Sequence, residues 1–487
     1  MEITDLTPAE TRVREAFPRG EAVDFRERDD EDAVAGADWG PERTVRAAVL
    51  KTLLLDGPQE PGKVAALRLA GARITGALDL IYATVEHAAR LSHCYFDEAL
   101  DLYSSRLRQL NLSSSVFPSL TLGSSRIDAA LRLTRCRSRG PVKLGGTQIA
   151  GAVFLDHADI DAPSAAIPAL QLNQSSIGHD FWAPHLCVHG ETRLSGAVIA
   201  GKVNLESAEF HHPGAIALSA ESLDANADVH ARGLRARGRI EMRGARIAGR
   251  LDLSGSRLSN PGGTALRASS STIGELWLYG SAPIEGILNL RRSHIDVLSF
   301  EPEVLPGEVC LGNLTYTTLN PHHPAERRLP MLANDHDGYV PHAYEQLTAA
   351  YRLAGDDRAA RVVQLAKLRR HRRTLPWYAR IWGHLQEATV GYGFRPTLAG
   401  VWLLSLLAVG STAYALHEPP PLKASEHPGF NPVFYTLDLL LPVISFGQEG
   451  AFAPRGWYQG LAYALTVAGW ILATTVFAGI TRTVSRQ

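Results

Sequence analysis

Apolar residues recur along the first two-thirds of the chain at a short, nearly fixed step. Leu69, Leu80, Leu102, Leu112, Leu122, Leu133, Leu144 and Leu155 stand ten or eleven residues apart, or about twice that. Leu172, Leu194, Leu205, Leu218, Met242, Leu253, Leu278 and Leu290 continue the series. Three residues after most of them comes a small side chain, as at Ala72, Ser105, Ser125, Thr147, Ala197 and Ser256. Five after comes another apolar one, as at Ile74, Leu107, Ile127, Ile149, Ile199 and Leu258. The underlying unit is therefore about five residues, small–x–apolar–x–x, with a sixth inserted now and then. Alternation within it puts the small and apolar side chains on one face of very short strands. One unit cannot bury that face alone, but stacked units can, so the pattern predicts a β-solenoid. Gly76, Gly151, Gly201 and Gly249 mark its corners, where a backbone without Cβ turns most cheaply.

The pattern changes at both ends. "TPAE" at Thr7–Glu10 is a capping box, and "PERTVRAAVLKTLLLDG" predicts a second helix with Val45, Val49, Leu53 and Leu54 on one face and Gly57 closing it. These helices cap the open end of a solenoid, with the charged stretch "DFRERDDEDA" between them. Beyond the repeats, "VPHAYEQLTAAYRLAGDDRAARVVQLAKLRRHRRTL" predicts two helices broken at Gly355, the second ending in Lys367, Arg369, Arg370, Arg372 and Arg373. Residues 396–416 and 457–480 carry no charge, and each is about long enough to cross a hydrocarbon core. The basic run lies before the first span, and Arg482 and Arg486 follow the second, so both termini are expected in the cytoplasm. Between the spans, "NPVFYTLDLLLPVISFGQEG" is apolar but too short to cross. It is expected as a packed interfacial loop or, alternatively, as a re-entrant pore element with Ser445, Phe446, Gly447 and Gln448 at its tip. The one "GYG", at 391–393, precedes the first span and is misplaced for a filter. The domain reading is 1–62 cap, 63–305 solenoid, 306–390 helical joint and 391–487 membrane hairpin.

Composition adds exclusions. With 49 Lys and Arg against 50 Asp and Glu, the chain is close to neutral, which argues against nucleic acid as partner. The four cysteines, Cys94, Cys136, Cys187 and Cys310, are far apart and form no CxxC pair. No phosphate-binding, dinucleotide or hydrolase motif is present, so no catalytic residue, cofactor site or metal site is assigned. His185 and His189 flank Cys187 but read as surface histidines, and Asp156, Asp159 and Asp161 as solvated corner residues. The concentrated charge is Arg232, Arg235, Arg237, Arg239, Arg243, Arg246 and Arg250, opposed mainly by Glu241, which suggests a patch for a protein partner.

The repeating units resemble the pentapeptide-repeat family in a degenerate form. That resemblance implies a right-handed, four-sided β-helix of about eleven coils, on the order of 50 Å long at ~4.8 Å per strand layer. The order of parts, with "YEQLTAAYRLAGDDRAARVVQLAK", "VGYGFRP" and "YTLDLLLPVISFGQE", resembles a group of actinobacterial membrane proteins commonly labelled membrane-associated oxidoreductases. The resemblance implies redox chemistry, which no motif in these residues supports. The fold expected is mainly β: a solenoid with helical caps and a C-terminal two-helix transmembrane hairpin in the cell membrane. The function expected is a docking platform that holds a cytoplasmic protein partner or assembly at the bilayer's inner face. A homo-oligomeric pore regulated by the solenoid is the alternative, and a redox enzyme the third.

Overall fold

The computed structural model describes residues 5–163, 166–280, 282–377, 380, 396–422, 429–441 and 444–484. The "GYG" segment lies outside them. The protein divides into two compact units, 1–354 and 355–487.

In the first unit the backbone winds alternately through two 18-stranded sheets. Leu120–Thr121 belongs to one, Arg126–Ile127 and Leu131–Arg132 to the other, and Arg137–Ser138 and Val142–Lys143 to the first again. All of this pairing is parallel. Leu120 lies opposite Val142 and Arg126 opposite Gln148, each 22 residues on. The result is a mainly β, parallel β-solenoid of about 11 turns with helices at its ends.

The periodic leucines fill the interior: Leu112, Leu122, Leu133, Leu144, Leu155 and Leu172 are fully buried. The small residues three positions later are buried too, for a reason beyond size. At each corner the leucine carbonyl leaves the ladder, accepts from the backbone N–H three residues on, and keeps a lone pair for a second donor. The Ser105 hydroxyl donates to Leu102 O at 2.7 Å, Ser175 to Leu172 O at 2.7 Å, and Thr147 reaches back one turn to Leu122 O at 2.7 Å. Serine and threonine are thus the small residues that also satisfy a buried acceptor.

The corners correct the glycine reading. Left-handed backbone recurs every ten or eleven residues, at Ser104, Ser114, Ser124, Arg135, Gly146 and His157, and most of these are not glycine. Of the four expected corner glycines only Gly76 has a positive φ, +80°. Gly151 and Gly201 turn corners for a different reason: a Cβ there would lie 2.8 Å from the backbone of the previous turn, at Ala129 and His179.

The N-terminal cap forms around helix α1 (Pro8–Ala16). Thr7 accepts from Glu10 N, and the Glu10 carboxylate accepts from Thr7 N and from the Arg46 guanidinium at 2.6 Å. Burial opposes ionisation of Glu10, but Arg46 and the backbone donors outweigh it and hold the carboxyl below its usual range. Helix α2 is shorter than expected, Ala47–Asp56. Val45 sits instead on a strand, Thr44–Arg46, paired with Arg73–Thr75 as a first rung. Edge pairing wins there because an open rung would leave its donors and acceptors unmet. At the other end the ladder continues past residue 305 to Thr315–Asn320, where α3 (Ala325–Ala333) and α4 (Pro341–Leu353) follow.

The second unit holds α5 (Asp357–Thr374), α6 (Pro396–Leu416), α7 (Pro432–Leu440) and α8 (Trp457–Val484). The last three enclose Tyr414, Tyr435, Leu439, Leu440, Phe452 and Leu465. Gly410 and Gly469 permit the close approach, since a Cβ on either would meet Thr436 or the Leu440 carbonyl. Among the described residues, no helix is long and apolar enough to cross a membrane. The two-span hairpin expected over 396–416 and 457–480 is therefore unsupported by the helices themselves. Within the continuous helix α6 stand the polar side chains Ser405, Ser411 and Thr412, and α8 opens with Trp457, Tyr458 and Gln459.

Gly196 tests the corner geometry cleanly. Its φ is +67°, and an added Cβ would make only an ordinary contact, 3.6 Å, with Gln174. Gly196→Val should lower unfolding free energy by about 1–2 kcal/mol in denaturant titration. Ser124→Gly, at the corresponding left-handed site, should change it by less than about 0.5 kcal/mol.

Candidate functional site

The arginine cluster does not remain together. Arg235, Arg237 and Arg239 lie on the strand Arg235–Glu241 of one sheet, and Arg246 and Arg250 on Arg246–Asp252 of the other. Arg232 and Arg243 fall in the connecting turns. Five of the seven are paired with carboxylates, mostly one turn away: Arg232 with Asp252 at 2.6 Å, Arg235 with Glu209 at 2.7 Å, Arg239 with Glu241 at 3.4 Å, Arg243 with Glu221 at 2.9 Å and Arg250 with Glu275 at 3.0 Å. Arg250 also lies 3.8 Å from the centre of the Trp277 ring. Among the described residues, Arg237 and Arg246 make no ion pair. Sequence distance hid four of these pairs, because an acid meets its base 20 to 26 residues away in an adjacent coil. Glu241 is enclosed, and burial pushes its carboxyl up despite Arg267 and Arg239.

Lys367, Arg369, Arg370, Arg372 and Arg373 occupy the last turns of α5, where the helix dipole favours cations. Consecutive positions turn by about 100°, so they encircle the helix and do not line one face.

The loop Ser445–Gln448 is tied to α7. Buried Asp438 accepts from the backbone N–H groups of Phe446, Gln448 (2.6 Å) and Glu449 (3.1 Å). Gly447 N donates to Ser445 Oγ at 3.2 Å. The Gln448 amide accepts from Asn431 N at 3.2 Å and donates to Gly429 O at 3.2 Å. The loop's donors are thus spent internally, as in a packed turn.

Two features escaped the sequence. Arg328, on α3, is 1% exposed and pairs with no carboxylate among the described residues. It donates to Pro321 O, lies 4.9 Å from the Phe300 ring centre, and keeps Nη1 without a partner. Burial pulls its guanidinium below the usual arginine range. It lines a cavity of about 280 Å³ with Thr317, Asn320, His323 and Tyr351. The signal was an arginine at helical spacing with buried Ala325 and Leu332.

The second feature is a mixed donor cluster. The strands Asp159–Asp161 and Cys187–His189 are neighbours, with Asp159 opposite Cys187 and Asp161 opposite His189. Ile160 and Val188 point inward, so the flanking side chains point out. Donor atoms of Asp159, Cys187 and His189 all lie within 4.8 Å of one another. Burial, then Asp159, Glu209 and Asp161, push the Cys187 thiol up to about 11. The expectation that Asp159 is a solitary solvated corner residue is corrected: it lies on a strand, one turn below the cysteine. His185 is elsewhere, at a left-handed corner, its ring stacked on His157 at 4.6 Å.

Comparison with known protein families, curated proteins and solved structures finds no match to this chain.

Asp438→Ala should lower the stability of the 355–487 unit by about 2–3 kcal/mol and open the 445–449 turn to protease, since three N–H groups of the turn lose the buried carboxylate that accepts from them. Arg328→Met should leave the thermal midpoint of the first unit unchanged or higher, because an unbranched apolar side chain replaces a buried cation that no carboxylate faces among the described residues.

Proposed function

We propose that this protein is a docking platform seated on a membrane. The 355–487 unit enters the bilayer through α6 and α8, and the solenoid presents its strand faces to a cytoplasmic protein partner or assembly. The observation that carries this is the outward side of the two long helices. Val401, Trp402, Leu404 and Val409 on α6, and Tyr463, Val467 and Trp470 on α8, are exposed although the unit already encloses a core of its own. Large apolar side chains left exposed in this number mark a membrane or protein contact. Trp457, at the start of α8, suits the interfacial level.

Insertion of these faces is the part of the proposal that the exposed side chains support. The two-span crossing, with both termini cytoplasmic, rests on the charge pattern, with the basic end of α5 against anionic headgroups. For the solenoid, support comes from its long parallel surface and from the absence of any assignable catalytic motif in the sequence. The turn held by Asp438 suits a packed loop better than a filter, so docking takes precedence over a pore.

Flotation tests the membrane seat. Purified full-length protein should float with anionic vesicles and resist carbonate extraction. Changing Leu404, Val409 and Val467 together to Lys should reduce floated protein by at least about tenfold. Equal flotation of the variant would remove the membrane role. For the platform, Arg237→Glu and Arg246→Glu together should strip co-purifying proteins from gently solubilised membranes. An identical set with the variant would exclude these arginines as the contact.

A further inference from the structure

We propose that Asp159, Cys187 and His189 form a binding site for a divalent transition-metal ion of the zinc class. Their positions are set by backbone pairing and not by a loop. Cys187 and His189 are alternate residues of one strand, and Asp159 sits opposite Cys187 on the adjacent parallel strand. Sheet geometry therefore delivers three donors to one outward point. A tetrahedral ion with bonds of about 2.0–2.3 Å holds its ligand atoms about 3.5 Å apart. Donors already within 4.8 Å need only side-chain rotation to reach that spacing.

The donor chemistry selects the ion. A thiolate, an imidazole and a carboxylate suit zinc and its borderline neighbours, whereas calcium and magnesium require oxygen ligands. Binding involves no redox change: the thiol proton goes to solvent as the metal–sulfur bond forms. Two negative ligands then neutralise the divalent charge.

The donors are also uncommitted. His189 Nδ1 is buried without a hydrogen-bond partner. Arg137, beside Asp159 in the ladder, is turned to Asp32 at 2.9 Å, and Glu209, beside Cys187, is held by Arg235 at 2.7 Å. Three protein ligands leave a fourth position. Solvent can take it, while His211 lies on the other side of His189, opposite it on the next strand with ring centres 5.6 Å apart. Cys94, Cys136 and Cys310 are buried, so Cys187 is the thiol an ion can reach.

Cobalt titration of the full-length protein, stripped with chelator, tests the site. One equivalent of Co²⁺ should bind with a near-ultraviolet thiolate-to-metal charge-transfer band, and Zn²⁺ should displace it. Cys187→Ser should abolish the band. His189→Gln and Asp159→Asn should each weaken binding by about 100-fold or more, with circular dichroism unchanged. His185→Gln, at the neighbouring corner, should bind as the parent does. Binding without the thiolate band, a band that survives in Cys187→Ser, or no binding at millimolar Co²⁺ would overturn the site.

Discussion

Each turn of the solenoid hydrogen-bonds to the next copy of itself, and the rest of the first unit follows from that. Leu122 N donates to Lys143 O, Leu144 N to Gln171 O and Leu172 N to Arg193 O, all at 2.7 Å. A parallel ladder of this kind keeps register only if each turn contributes the same path length. Turns that carry more residues must loop the excess outward. Between Val142 and Leu170 the step grows from 22 residues to 28, and the excess falls between the strands Asp159–Asp161 and Leu170–Gln171. The same constraint explains the corners. A left-handed residue costs roughly 1–2 kcal/mol, yet serine, arginine, histidine and glutamine all accept that conformation. The rungs on either side leave the chain no other path.

The interior was legible because it depends on local spacing. Leucines, small residues and following apolar residues could be phased without knowing which turn lay beside which. The capping box of Thr7 and Glu10 was legible for the same reason. What lay one turn away was not. Arg235 and Glu209, or Asp159 and Cys187, are 26 and 28 residues apart, and their meeting depends on the length of each intervening insert. Val45 shows a second kind of failure. Its spacing fits a helix face, but the sheet's need for a first rung overrode local propensity. Arg328 was hidden among apolar neighbours because a buried cation is rare enough that spacing alone does not suggest it.

The two units handle apolar surface in opposite ways. The solenoid turns its leucines inward and covers its outer faces with polar residues, many paired across turns. The 355–487 unit fills a small core and still leaves tryptophan, leucine and valine side chains outward. The division falls after Ala354, close to the glycine that separates α4 from α5.

The self-pairing ladder also governs how such a chain can change over evolutionary time. Gain or loss of a whole coil, about 22 residues, preserves every contact above and below the junction. A change of one residue within a strand turns the interior side chains that follow it outward until a corner absorbs the difference. Insertions and deletions should therefore come in quanta of one coil, or be confined to the outward loops. Lineages of this protein would then differ in the number of coils, while the face presented by each coil persists.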